Sequence, residues 1–440
     1  MRRFVFMGAL VLLLSPAARA EGRRMALSEV VAEAIRNNPD SRTAIEDEKI
    51  AKDERWEAGG HFGPLVHLDA NLQQWNSAYE IPFALPVTPP VTLPFSVRTD
   101  RTWTSTLEAI QPLTGLLSIF EQYRLADIGV DISRVKRDAS RRDLGYRAIE
   151  AYYRLLQAER LAEVAVQSVD QLTLQLKQAN AFHDAGTVSR DDVLRAELAL
   201  ANAKQRVISQ RAQVSLARSR LAVAMGTSPS SEIDAIPLDH EPEIRSETTL
   251  DRAEQTALAS RSEMQEVDMH MKQSKSNVRL AWYKLVPQAN LVVAWQHSDG
   301  SLFALENSEF IGGTLSWDIW DWGSTIAGID KSYAKVRQTD ATRQKIEDQV
   351  KLEVQEAYLN VGTTTDAIGV AKTAVASAEE NYRLVTKRYD ANTATQFDVV
   401  DAEQLLTQAR AQLQTSTYDY LIARAALRRA MGQAPEEQAR

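Results

Sequence analysis

The stretch DDVLRAELALANAKQRVISQRAQVSLARSRLAVAMG (191–226) has a near-copy, FDVVDAEQLLTQARAQLQTSTYDYLIARAALRRAMG (397–432). Asp192-Val193 and Ala196-Glu197 recur as Asp398-Val399 and Ala402-Glu403, and Ala224-Met225-Gly226 recurs as Ala430-Met431-Gly432. The same offset of 206 residues reaches upstream, matching Glu150-Ala151-Tyr152 with Glu356-Ala357-Tyr358 and Asp184-Ala185 with Asp390-Ala391. One gap-free offset across about 80 residues marks a tandem repeat. Both copies carry a seam of period seven. In the first it is Val193, Leu200, Val207, Val214 and Leu221, beside Ala196, Ala203, Gln210, Ala217 and Ala224. In the second it is Val399, Leu406, Leu413, Tyr420 and Leu427, beside Ala402, Ala409, Ser416, Ala423 and Ala430. Five heptads per copy argue for packed, supercoiled helices, and the small second position lets helix axes approach closely. A plain helical bundle has the same periodicity.

Working outward, each half repeats one order: helix, two strands, long helix, turn, helix. The first repeat is read as 21–226, with a helix over 27–58, a strand pair within 64–112, a long helix over 115–183, a turn near 186 and a helix over 188–226. A linker with Pro229, Pro237 and Pro242 covers 227–249. The second repeat, 250–432, places a helix over 250–284, strands within 287–320, a long helix over 323–389, a turn near 392 and a helix over 393–432; a tail, 433–440, follows. The long helix of the first repeat equals its two short helices laid end to end, at about 100 Å for ~1.5 Å per residue. Such a match suits the wall of an elongated tube.

The strand candidates alternate. Val66, Leu68, Ala70 and Leu72 face one way, against His67, Asp69, Asn71 and Gln73. Trp103, Ser105, Leu107 and Ala109 oppose Thr102, Thr104, Thr106 and Glu108. The second pair repeats the pattern with Leu291, Val293 and Trp295, and with Gly313, Leu315, Trp317 and Ile319. About ten alternating residues suit a tilted transmembrane strand, although a soluble sheet with one wet face alternates as well. Tryptophan placement favours the membrane reading. All 8 lie in or beside the strand segments, as interfacial girdles require; Trp75, Trp103, Trp295, Trp317 and Trp320 are the girdle candidates. Four strands cannot close a barrel, and open edges are not tolerated in lipid. Three chains would supply 12. The five prolines between Asn76 and Asp100 read as a rigid external loop.

The remaining bulk features exclude much. A net charge of −8 argues against nucleic acid, and the absence of cysteine removes disulfides, thiolate metal sites and a cysteine nucleophile. Residues 1–20 read as a signal peptide: Arg2 and Arg3, the apolar run Phe4 to Leu14, then Ala18-Arg19-Ala20. No later run is apolar enough for a spanning helix, so entry into a membrane requires strands. Met264, Met269, His270 and Met271 are better placed as helix core and surface than as a metal site. No catalytic pattern, phosphate loop or cofactor motif is present.

The repeat, the strand pairs, the turns Phe182-His183-Asp184-Ala185-Gly186-Thr187 and Tyr389-Asp390-Ala391-Asn392-Thr393, and the tails ending Ala-Met-Gly together resemble the TolC family of outer-membrane efflux proteins. The resemblance covers nearly all of the chain after residue 20. It implies a homotrimer with a shared 12-stranded transmembrane β-barrel, continued by a long α-helical coiled-coil barrel in the periplasm. It further implies docking to a periplasmic adaptor protein and an inner-membrane transporter, with outer-membrane lipid around the barrel, no cofactor and no enzyme activity. Gly186, Thr187, Asn392 and Thr393 match the tips that meet the adaptor, and Tyr389, Asp398, Asp401 and Asp192 match residues narrowing the tunnel entrance. Ala394 stands where the family carries an arginine, which puts the closing ion pairs in doubt. On the residues alone, Asp398 and Asp401 also read as solvated carboxylates, three apart on one helical face. The cargo reading is small toxic compounds, drugs or metal ions; the alternatives are the channel of a type I protein secretion system and a non-channel coiled-coil protein of the cell surface.

Overall fold

The computed structural model describes residues 23–87, 91–237 and 248–435; the signal-peptide reading of 1–20 and the end of the tail lie outside them. In chain order the elements are β1 (Arg23–Met25), α1 (Leu27–Asn37), α2 (Pro39–Gly60), β2 (Leu65–Gln74), β3 (Tyr79–Leu85), β4 (Val91–Pro112), α3 (Leu116–Asp184), α4 (Arg190–Ala224), β5 (Ile233–Ala235), α5 (Leu250–Ser260), α6 (Ser262–Tyr283), β6 (Gln288–Ser301), β7 (Asn307–Ser316), α7 (Ser324–Asp390) and α8 (Gln396–Ala430). Asp184, Arg190 and Ala224 bound the first copy where Asp390, Gln396 and Ala430 bound the second, each 206 residues on. No helix among the described residues is long and apolar enough to cross a membrane.

Two compact units form, and they are not the two repeats. One takes residues up to Ser41, Arg141–Leu250 and Val354 onward; the other takes Arg42–Ser140 and Asp251–Glu353. The long helices α3 and α7 contribute to both.

The first unit holds the main core. Val30, Val31 and Ala34 of α1, Ile149, Tyr152 and Leu156 of α3, Leu221 of α4, Ile233 of β5 and Tyr420 of α8 pack together. β1 and β5 run parallel over this core, and the Tyr152 hydroxyl donates to the Ile236 carbonyl at 2.8 Å. The seam positions Val193, Ala196, Leu200, Ala203 and Val207 are buried in α4, as are Val399, Ala402, Leu406, Tyr420 and Leu427 in α8. Gly226 takes φ +72, and a Cβ there would lie 2.6 Å from the Asn38 Cα.

The second unit carries one antiparallel sheet in the order β2-β4-β6-β7, with β3 paired to the first half of β4. Partners across a ladder point to the same face. The rows Val66–Ala109–Val293–Ile311 and Leu68–Leu107–Trp295 therefore lie on one face, with Leu291 and Leu315. Asn71–Thr104–Ser298 and Asp69–Thr106–Gln296–Ser308 lie on the other. The polar face is interrupted by Phe310 and by the row Leu65–Ile110–Val292.

Four expectations are corrected. The 27–58 helix breaks at Asn38, which is extended because Pro39 follows it, and the Asn38 carboxamide oxygen caps α2 through Asp40 N at 2.9 Å. The 250–284 helix breaks at Arg261, also extended, whose guanidinium reaches Glu263 and Glu353. Asn76 to Asp100 is not simply loop: β3 and β4 form a ribbon there with Ile81 opposite Phe95 and Phe83 opposite Leu93. Its prolines face each other as Pro82 and Pro94, where missing N–H groups are tolerated at an edge. Finally, β7 stops at Ser316, so Trp317 and Trp320 lie beyond the strand; the ladder ends at Gln288–Ser316 because Pro287 has no N–H to donate.

Candidate functional site

The two helix turns are copies in detail. Gly186 and Asn392 both adopt positive φ, +72 and +56, as the end of a helix requires. Thr187 donates from N and from Oγ1 to the Phe182 carbonyl, both at 2.9 Å, and Thr393 does the same to the Arg388 carbonyl. These threonines therefore close the preceding helix. The next helix is capped instead by Ser189 and Thr395. All four tip residues, Gly186, Thr187, Asn392 and Thr393, are exposed.

Asp192 and Asp398 complete these caps. The Asp398 carboxylate accepts from Thr395 N and Oγ1, both at 2.8 Å, while Asp398 N donates back to Thr395 Oγ1 at 3.3 Å. Asp192 repeats the box with Ser189. Hydrogen bonds from Thr395 hold the Asp398 carboxyl below its ordinary 3.8. A depressed pKa contributes stability that is present above 3.8 and is lost as pH falls through the folded value. Thr395→Ala is expected to speed amide exchange in the first turn of α8 about fivefold, the equivalent of ~1 kcal/mol for a lost cap. Hydrogen exchange read at Gln396 to Val399 checks this.

Asp401 is exposed one turn further along α8. Tyr389 is different. It is 2% exposed and packed on Phe182 at 5.6 Å, and its hydroxyl has no hydrogen-bond partner. Burial, and then the nearby Asp192, push its phenol up. The fold thus brings Tyr389 and Asp192 together and leaves Asp398 and Asp401 on the outside of α8. Sequence reasoning passed over Gln396, fully buried with its amide unpaired, and Glu403, buried with Ser168 donating to it at 2.6 Å and Thr407 at 2.7 Å. Their copies, Arg190 and Glu197, are exposed and pair at 3.7 Å, so the repeat itself carried no hint.

The aromatic candidates flank the sheet. Trp75 donates to Thr102 Oγ1 at 3.2 Å under the Arg98 guanidinium. Trp103 lies opposite Leu72, and Trp295 stacks on His297. Trp317 and Trp320 are exposed past β7, and Trp320 meets Trp322 at 5.9 Å. No group of three or more acidic, histidine or cysteine side chains among the described residues could hold a metal ion.

The family model described as outer membrane efflux protein matches residues 30–227 and 254–433, both halves of the repeat. The chain belongs to the outer membrane efflux protein family. As a member of that family it is an outer-membrane protein and not an enzyme. It is similar to the outer membrane efflux protein BepC of Brucella suis biovar 1 (strain 1330), 23% identical over 296 residues, and spans 67% of its own length and 64% of that relative. Among solved structures it is similar to VceC of Vibrio cholerae (16% identity, TM-score 0.76, 93% of this chain and 96% of that one). CusC matches at 14% identity and TM-score 0.79 over 93% and 92% of the two chains. The open-state MtrE channel of Neisseria gonorrhoeae matches at 18% and 0.73 over 93% and 89%. At these identities the likeness speaks for the fold.

Proposed function

We propose that this outer membrane efflux protein is the passive exit duct of a tripartite export system. Three copies close a 12-stranded barrel, and the helices continue it as a tunnel toward an adaptor and an inner-membrane pump. The observation that carries the reading is the sheet. One face carries the apolar rows Val66–Ala109–Val293–Ile311 and Leu68–Leu107–Trp295, the second ending at Glu309, the other is polar over its middle, and β2 and β7 each have one free edge among the described residues. Lipid on the first face, water on the second and another strand at each edge satisfy all three. A soluble coiled-coil protein has no use for such a sheet. The relative from Brucella suis is itself an efflux protein, and CusC forms a transmembrane channel, both in keeping with export. Small toxic compounds are the cargo class; the adaptor meets the exposed tips at Gly186, Thr187, Asn392 and Thr393.

Asp398 and Asp401 line the tunnel entrance, with Tyr389 and Asp192 behind them. Three copies of two carboxylates in a narrow aqueous neck concentrate cations. The purified trimer in planar bilayers is expected to be cation-selective, more so at low salt. Asp398→Asn with Asp401→Asn should reduce the reversal potential under a salt gradient and leave the trimer intact. An unchanged potential would remove these residues from the constriction. A monomer by mass, with no conductance, would end the duct reading.

A further inference from the structure

Arg261–Glu353, Ser274–Thr339 at 2.9 Å and Trp282–Tyr333 at 3.4 Å hold α6 and α7 side by side, antiparallel. Along one side of this joint runs an open groove of about 590 Å³, a volume suited to a small organic ligand. Its floor is apolar: Val267 and Val350 are buried and Ile346 is half-buried. The two ends differ in charge. At the end away from the sheet Arg261 pairs with both Glu263 and Glu353, and Glu266 has only Lys136 of α3 among the described residues, at 4.0 Å. Burial is the largest influence on the Glu266 carboxyl and pushes it up, so its charged form is short of partners. Nearer the sheet, Lys335 donates to the neutral Gln338 at 2.9 Å and has no carboxylate partner among the described residues. Gln273 and Asn277 line the groove opposite it.

The hand of the chain places the groove. Leu113 N donates to the Ala289 carbonyl, so residues of β6 on the apolar face turn their backbone groups toward β4. For L-residues that sets β4 to the right of β6 and β7 to its left, seen from the apolar face with the helices below. α6 rises beneath β6, and α7 descends on its left. Ser274 and Trp282 of α6 bond to α7, so they point left. On a right-handed helix Glu263, His270 and Asn277 then point away from the viewer, to the side of the sheet's polar face. The groove therefore opens on the side that holds water in a duct.

We infer that this groove seats an elongated zwitterion in transit, its amine at Glu266 and its carboxylate at Lys335. A singly charged compound meets one end of the groove; a zwitterion meets both. Glu266 is eight residues below Ser274 and Lys335 four above Thr339, about 18 Å in all at ~1.5 Å per residue. An extended peptide of about five residues spans that length. The inference rests on the duct reading, which fills the polar side with water.

Equilibrium dialysis of radiolabelled pentaalanine against the purified protein in detergent tests this. Saturable binding is expected, weakened about fivefold by N-acetylation and about fivefold by C-amidation, the ceiling for one exposed ion pair. In Glu266→Gln, N-acetylation should cost nothing further while C-amidation still does; Lys335→Gln should show the reverse. Asp268→Asn, two residues from His270 and so on the opposite side of α6, should bind as the parent protein does. No saturable binding by a conducting channel, indifference to both end groups, or losses shared by or exchanged between the two variants would each overturn the site while sparing the duct. The expected pattern in protein that does not conduct would keep the site and end the duct.

Discussion

Val293→Arg is expected to destabilise the membrane-embedded protein by ~2–4 kcal/mol, the cost of an arginine on the lipid face near the midplane. Val293 sits between Ala109 and Ile311 in the middle row of the apolar face and is 45% exposed. Thr106, one row away on the polar face between Asp69 and Gln296, should accept arginine with a change near zero. The two side chains are nearly the same size, and Thr106 is the less exposed of the two, so a larger loss at Val293 would point to the medium and not to burial in the chain. Urea unfolding of protein refolded into lipid vesicles measures both. Equal losses would mean that no lipid contacts the first face.

The second large effect concerns Gly226. Alanine in the left-handed region costs ~1–2 kcal/mol, and at Gly226 the new methyl would also press on the Asn38 backbone, adding ~1–3 kcal/mol. The contact is specific, because Asn38 donates from its side chain to the Ala224 carbonyl at 3.1 Å, fixing the α1–α2 break against the end of α4. Gly186 has the same φ, +72, with open space around it. Gly186→Ala should therefore lose only the backbone part. Thermal unfolding of the two variants in detergent checks the difference, and similar losses would remove Asn38 from the account.

Helices and turns were legible in the sequence because their causes are local. The heptads of Val193 to Leu221 specify a buried seam by spacing alone, and Gly186 with its copy Asn392 signals a left-handed residue in either repeat. The strands were legible as alternation, so the shared face of Leu68, Leu107, Val293 and Leu315 was readable while the strand ends were not. Ends depend on partners: β7 stops at Ser316 because Pro287 lies opposite the next step. The same applies to the ribbon of β3, whose prolines suggest a loop until Pro82 is seen facing Pro94. At the tip, Thr395 was legible as a possible cap of α8 and Asp398 as an acid near a turn, while their reciprocal pairing three residues apart was not read. Nothing local marks Gln396 or Glu403 as buried, and Glu403 meets its partner Ser168 on α3, more than 200 residues away.

That distance governs how the chain must fold. Asp143 pairs with Arg429 at 2.8 Å across 286 residues, and the Tyr146 hydroxyl reaches the Gln433 carbonyl across 287. Ser168 waits for Glu403, and Gly145 lies under Pro435, where a Cβ would overlap the ring. One face of α3 is thus made early in synthesis and covered only by the last helix. At ~5–20 residues per second the interval is roughly a quarter of a minute to a minute, long compared with helix formation. During that time Leu155, Leu156 and their neighbours have no cover from α8. Contacts of such long sequence range also fold slowly once the chain is complete. A chain ending before Arg429 would leave Asp143, Tyr146 and Gly145 on that face of α3 without the partners that cover them here.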